Sequence, residues 1–149
     1  MIEALNLPKA ELRLKRKNGD VYVWCVIRKK ELLCTPEEWV RQHIIHDLIH
    51  HKNIPIGLIA SEYALNYNGR QKRADIVVFN RSQQPVLIIE CKATNIAITE
   101  ETLFQIAQYN FELKVPMLMM SNGLNHFYCE INQETGAIQY LENFPKLEL

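Results

Sequence analysis

The segment Pro85-Val86-Leu87-Ile88-Ile89 is almost unbrokenly apolar, and it closes on Glu90-Cys91-Lys92. A strand with one wet face alternates apolar and polar side chains. A continuous apolar run is instead the pattern of a central strand buried on both faces. Such a strand needs cover on each side, which points to an α/β chain with helices packed on a sheet. Ionisable groups at its end are costly unless they are paired or bound to a cation. One short segment therefore constrains both the architecture and the place where chemistry is to be sought.

The flanking sequence supplies the other elements. Leu12 and Leu14 alternate with Arg13 and Lys15, Asn18-Gly19 is a strong hairpin turn signal, and Val21 to Ile27 is rich in β-formers. A hairpin is predicted over about 10–28. A helix follows from Thr35 to about His51. Thr35 caps it, Pro36 takes the first position and Glu38 closes a capping box. Val40, Ile44 and Leu48, with Ile45 and Ile49, form its buried arc, and His43, His46 and His50 read as a polar solvent face. A histidine metal site there needs further converging ligands, and the spacing shows none.

Strands are predicted at Leu58–Tyr67, turning at Asn68-Gly69, then at Ala74–Phe79 and Pro85–Lys92. A second helix covers Thr99–Leu113. A strand at Val115–Met120 stops at Ser121-Asn122-Gly123, and two more, His126–Ile131 and Ile138–Leu141, form a C-terminal β-ribbon. The order is an N-terminal hairpin, then α-β-β-β-α-β, then the ribbon. With 149 residues this reads as one domain over 1–149, with its core at about 35–121.

Composition excludes several classes. At 48% hydrophobic and 23% charged the composition is that of an ordinary globular chain and argues against disorder. No apolar run approaches the ~18 residues of a membrane span, and Met1–Lys9 lacks a secretory pattern. Cys25, Cys34, Cys91 and Cys129 are widely spaced, as expected for reduced thiols in a cytoplasmic protein. The net charge is zero but polarised. Residues 1–81 carry 14 Lys/Arg against 9 Asp/Glu, whereas residues 82–149 carry 3 against 8. Basic clusters at Lys15-Arg16-Lys17, Arg28-Lys29-Lys30 and Arg70-Gln71-Lys72-Arg73 permit nucleic-acid contact, and a solvated face is the plainer reading of charge alone.

The candidate chemistry lies where the sheet should be apolar. Asp75 interrupts a strand start. Glu90 and Lys92 are two apart, so they share a face, and Cys91 points the other way. The short connection around Asn80–Gln84 lets the two strands pair antiparallel and brings Asp75 to Glu90. Two close carboxylates repel and want a cation, and oxygen donors with open positions suit magnesium or manganese. Cys91 would add its backbone carbonyl. Such a metal polarises a phosphate and lowers the pKa of a bound water, and Lys92 would position that water or offset charge. A surface ion pair of Lys92 with either acid is the plainer alternative.

Gln105 and Tyr109 are four apart on the second helix and would orient a phosphate or a water; a plain helix surface is the alternative. Glu38 and Glu62 are further candidates for the site. Their alternatives are the capping box and a pairing with the basic residues of 70–73.

Asp75, Glu90-Cys91-Lys92 and Gln105-Ile106-Ala107-Gln108-Tyr109 in this order of elements resemble the PD-(D/E)xK nuclease superfamily. More closely, the chain resembles the N-terminal nuclease domain of type I restriction enzyme R subunits. The blocks that carry the likeness include Thr35-Pro36-Glu37-Glu38-Trp39-Val40-Arg41-Gln42, Lys72-Arg73-Ala74-Asp75-Ile76-Val77-Val78, Ile89-Glu90-Cys91-Lys92-Ala93, Gln108-Tyr109-Asn110 and Ser121-Asn122-Gly123, spread over about residues 10–145. The resemblance implies a restriction-endonuclease-like fold and a magnesium-dependent endonuclease acting on DNA. Asp75 and Glu90 would be metal ligands, Lys92 the catalytic lysine, and Gln105 and Tyr109 the Q-x-x-x-Y motif.

Ala74 stands where the superfamily's name places proline. No Gly-x-x-x-x-Gly-Lys-Ser/Thr loop is present to hold ATP, so a complete restriction subunit is not expected. A separately encoded motor or restriction-modification subunit would then be a partner, and a homodimer would serve duplex cleavage. Arg70, Lys72 and Arg73 would contact phosphates, without sequence specificity. The competing expectation is an accessory module that holds DNA or a protein without turnover.

Overall fold

The computed structural model describes residues 3–149, and at Tyr67 the backbone only. The chain opens with β1 (Leu14–Lys17), β2 (Asp20–Cys25) and β3 (Lys30–Leu33), which form a three-stranded antiparallel sheet. Asn18 and Gly19 both have positive φ, 50° and 86°, as the predicted turn demands. The third strand was not legible in the sequence. Arg28-Lys29-Lys30 reads there as a charge cluster, whereas in the structure Lys29 turns with φ 54° and Lys30 begins β3.

Helix α1 runs over Pro36–His50, and Thr35 Oγ1 accepts the Glu38 N–H at 3.1 Å. The predicted polar face of α1 holds at His50, which is exposed, and is corrected at His43, which is buried. The helix is buried around most of its circumference, because the main sheet covers one side and the N-terminal strands another. Val40, Ile44, Ile45 and Leu48 pack with Ile76, Val78, Leu87 and Ile89, while Trp39 packs with Val23 and Cys34. His43 is buried, with Nδ1 donating to the Trp39 carbonyl at 2.8 Å. The His46 and His50 rings lie 4.2 Å apart.

The main sheet follows: β4 (Ile59–Tyr67), β5 (Arg70–Phe79), β6 (Pro85–Cys91), β7 (Met117–Ser121), β8 (His126–Ile131) and β9 (Ile138–Leu141), in that spatial order. Only β6 and β7 are parallel, and α2 (Glu100–Glu112) connects them. Thr99 Oγ1 caps α2 by accepting the Thr102 N–H. The C-terminal strands β8 and β9 continue the main sheet rather than standing apart from it.

Two cores sandwich β6. Leu87, Ile89 and Cys91 belong to the α1 side, and Ile88 packs with Leu103 and Ala107 on the α2 side. This double cover is what the apolar run demands. The mixed sheet flanked by two helices is a restriction-endonuclease-like fold. Among the described residues no helix is long and apolar enough to cross a membrane.

Candidate active site

The site begins with a break in β5. Ala74 packs in the α2-side core and Ile76 in the α1-side core, although residues two apart on a regular strand share a face. The alternation therefore slips at Asp75. On the neighbouring strand, Ser61 pairs with Ile76 and Tyr63 with Ala74, and between them Glu62 takes φ 54°. A glutamate in this left-handed region is strained, and such strain persists only where neighbours hold it. Towards β6, the last regular pair on this side is Ile76 with Ile89. Beyond it Asp75 Oδ2 accepts the Cys91 N–H at 2.7 Å. A carboxylate thus stands where a ladder carbonyl would be, and the strands diverge at the acid pair.

Glu90 is 6% exposed and lies beside Asp75. Burial and the Asp75 charge push its carboxyl up to about 7, against the opposing pull of Lys72. Lys72 Nζ pairs with the buried Glu90 Oε1 at 3.0 Å. The same ammonium lies 5.1 Å from the centre of the Tyr109 ring. Gln105 and Tyr109 are exposed on α2, and with Arg70, Gln108 and Glu112 they line an open cavity of about 430 Å³.

On the other side of the break stands Arg41 of α1, 7% exposed. Its Nε and Nη2 donate to the two Glu38 oxygens at 3.1 and 3.0 Å. Its Nη1 donates to Glu62 Oε1 and lies 3.5 Å from Asp75 Oδ1. Burial works to lower the Arg41 pKa, but Glu38, Glu62 and Asp75 together hold it above its ordinary value. The capping-box expectation is corrected in part. Glu38 gives its N–H to Thr35, but its carboxylate turns to Arg41 and to Gln42 Nε2, the latter at 2.9 Å. Glu62 also meets Arg73, whose Nη1 donates to the Glu62 carbonyl at 2.9 Å and lies 3.9 Å from its Oε2.

Lys92 follows the end of β6, half-buried, with its N–H donated to the Ser121 carbonyl at 2.8 Å. Among the described residues its ammonium makes no ion pair within 4.0 Å, so the expected alternative of a surface pair with Asp75 or Glu90 is not formed. Its charge is felt instead by Glu37. Burial and then Asp75 raise the Glu37 carboxyl, while Arg41 and Lys92 lower it.

Arg41 and Glu37 were missed in the sequence as site residues. A signal for Arg41 existed, because Glu38, Arg41 and Gln42 fall at i, i+3 and i+4 and share one helix face. The structure thus gathers Glu38, Glu62 and Asp75 around Arg41, and sets Glu90 with Lys72 and Tyr109 against Asp75. Gln105 and Arg70 sit further along the α2 cavity. The Cys91 thiol is buried in the α1-side core.

Asp75 and Glu90 could hold a hard cation: both donors are carboxylates, they repel, and a buried Glu90 oxygen already faces one positive charge at 3.0 Å. Among the described residues no group of three or more His, Cys, Asp or Glu converges as a metal cage. Magnesium does not require one, since it is bound through one or two carboxylates and keeps several waters.

Comparison with curated proteins returns no match. A solved fragment of an HsdR subunit of a type I restriction enzyme from Vibrio vulnificus YJ016 is 26% identical, with a TM-score of 0.41. The likeness covers 58% of this chain and 18% of that one. Residues 36–145 match the family of the type I restriction enzyme R protein N terminus, from the start of α1 to beyond β9. That match takes in every acid and base gathered at the β5–β6 break, and the chain belongs to this family.

Proposed function

We propose that the chain is a divalent-metal-dependent endonuclease core acting on the DNA backbone. The observation that carries this reading is the divergence of β5 and β6 at Asp75, which leaves two carboxylates side by side at the end of a buried strand. Structural ion pairs seldom place like charges together, because each raises the other's pKa. Membership of a restriction R-protein family gives the pair a context in which phosphodiester cleavage is the expected chemistry.

Asp75, Glu90 and the Cys91 carbonyl would hold the cation. When bound, magnesium or manganese polarises the phosphoryl oxygen and makes water a better nucleophile. Asp75 is kept in place by Arg41 and by the Cys91 N–H. Lys92, with an ammonium that makes no ion pair among the described residues, offsets charge that develops at phosphorus or holds the attacking water. Gln105 and Tyr109 line the approach and orient the phosphate, and Arg70, Lys72 and Arg73 hold the flanking backbone without reading bases. Glu38 and Glu62 act through Arg41 rather than on the substrate. A restriction-modification setting and a homodimer for duplex cleavage belong to the same reading.

The test is cleavage of DNA by the purified chain with magnesium, with manganese and with chelator, beside Asp75→Ala. Metal-dependent nicking that is lost in the variant supports the proposal. DNA binding without turnover that survives Asp75→Ala would favour an accessory module instead.

A further inference from the structure

We propose that Lys72 and the divalent cation compete for one site, the Glu90 carboxylate, so that Lys72 is a tethered cation which metal binding displaces towards the substrate phosphate. This inference rests on the metal-centre reading of Asp75 and Glu90. Its ground is geometry. Lys72 Nζ is 3.0 Å from Glu90 Oε1, an oxygen buried from water. A cation bound at that oxygen cannot share it with an ammonium at such a distance, because the two positive charges would repel at close range in a poorly solvated place.

The alternative position for Lys72 is already furnished. Its ammonium lies 5.1 Å from the Tyr109 ring centre, and Tyr109 lines the open cavity together with Gln105 and Arg70. Lys72 and Arg70 are two apart on β5 and share a face, so a released ammonium swings towards the same cavity. Pairing with Glu90 and stacking on Tyr109 thus make Lys72 a positioning residue: it blocks the ligand when no cation competes and supplies charge to the cavity when one does. Glu90 then need not remain a buried, unpaired charge in either condition.

The experiment is a calorimetric titration with Mn²⁺ of the full chain, of Lys72→Met, of Glu90→Gln and of the double variant. Arg70→Met serves as a control for loss of one nearby charge. Removing the competitor is expected to tighten Mn²⁺ about tenfold, a coupling of ordinary size between groups in contact. Arg70→Met should shift it far less, and Lys72→Met should lose its effect in the Glu90→Gln background. Amine-reactive labelling read by mass spectrometry needs no variant: Mn²⁺ should raise labelling of Lys72 and leave the exposed Lys114 unchanged.

Mn²⁺ binding that is equal in the wild type and Lys72→Met, or bound metal with unchanged Lys72 labelling, overturns the displacement while leaving the metal centre standing. No Mn²⁺ binding by any of these proteins overturns both.

Discussion

Asp75 Oδ2 accepts the main-chain N–H of Cys91 at 2.7 Å. This single bond ties the middle of β5 to the end of β6 where their regular ladder has stopped. It holds the Asp75 carboxylate against the residue that follows Glu90, and so fixes the spacing of the two acids. Arg41 approaches the other Asp75 oxygen from α1 at 3.5 Å. Asp75 is thereby held from both sides, while the ion-pair partner of Glu90 among the described residues is Lys72.

Arg41→Met should destabilise the fold strongly. It leaves Glu38, Glu62 and Asp75 facing one another in a buried place, and removing one partner of a buried ion network costs about 3–5 kcal/mol. Glu62 would also lose a partner that holds its φ of 54°. Urea denaturation at neutral pH measures this, and a loss below about 1 kcal/mol, the range of surface pairs, would contradict the role given to Arg41.

Glu90 makes stability depend on pH in a stated direction. Its carboxyl is pushed up to about 7 in the native chain, against about 4.3 in an unfolded one. The native state therefore binds this proton more tightly. Its contribution is fully present below about pH 4.3 and is lost as pH rises to about 7. In chelator, the Tm of wild type minus that of Glu90→Gln should fall across this window and flatten above it. A difference that stays constant from pH 4.5 to 7.5 would show that Glu90 titrates normally.

The thiols should be silent in the native chain. All four cysteines are free and buried. Burial raises Cys34 and Cys91 and pushes Cys129 up to about 11. Little thiolate is then present at these three at pH 8, the thiolate is the reactive form, and Cys25 is shielded by burial. Titration with a disulfide reagent should find no rapid thiol in the native protein and all four after unfolding. Rapid modification of Cys91 would contradict its place in the α1-side core.

Arg70→Ala should weaken DNA binding similarly for every sequence and reduce the salt slope by about one, because a phosphate contact carries no base information. Salt-dependent binding measured in chelator, with two unrelated duplexes, reads this directly. An effect confined to one sequence would place Arg70 at a base edge.

Most of the fold is legible in the residues. Asn18-Gly19 and Asn68-Gly69 mark hairpins that form with the positive φ values such turns require. The run from Pro85 to Ile89 announces a strand covered on both faces. Local pattern failed where tertiary packing set the outcome. A strand at Lys30–Leu33 hides behind charged residues because its pairing with β2 is not a local property. His43 looks like part of the wet face that His50 occupies because the sequence does not show that the N-terminal strands return over that helix. The acid pair was visible as Asp75 and Glu90, since ionisable residues interrupt an apolar pattern. Their counter-ions were not, because Arg41 and Lys72 reach them through the slip in β5 and the fold of α1.

The most direct measurement is cleavage of supercoiled, linear and single-stranded DNA with magnesium, manganese or chelator, beside Lys92→Ala. The account predicts cleavage that requires the metal and falls at least ~100-fold in Lys92→Ala, the scale of a lost charge-stabilising group. Cleavage that persists in chelator, or that is unchanged in Lys92→Ala, would contradict it.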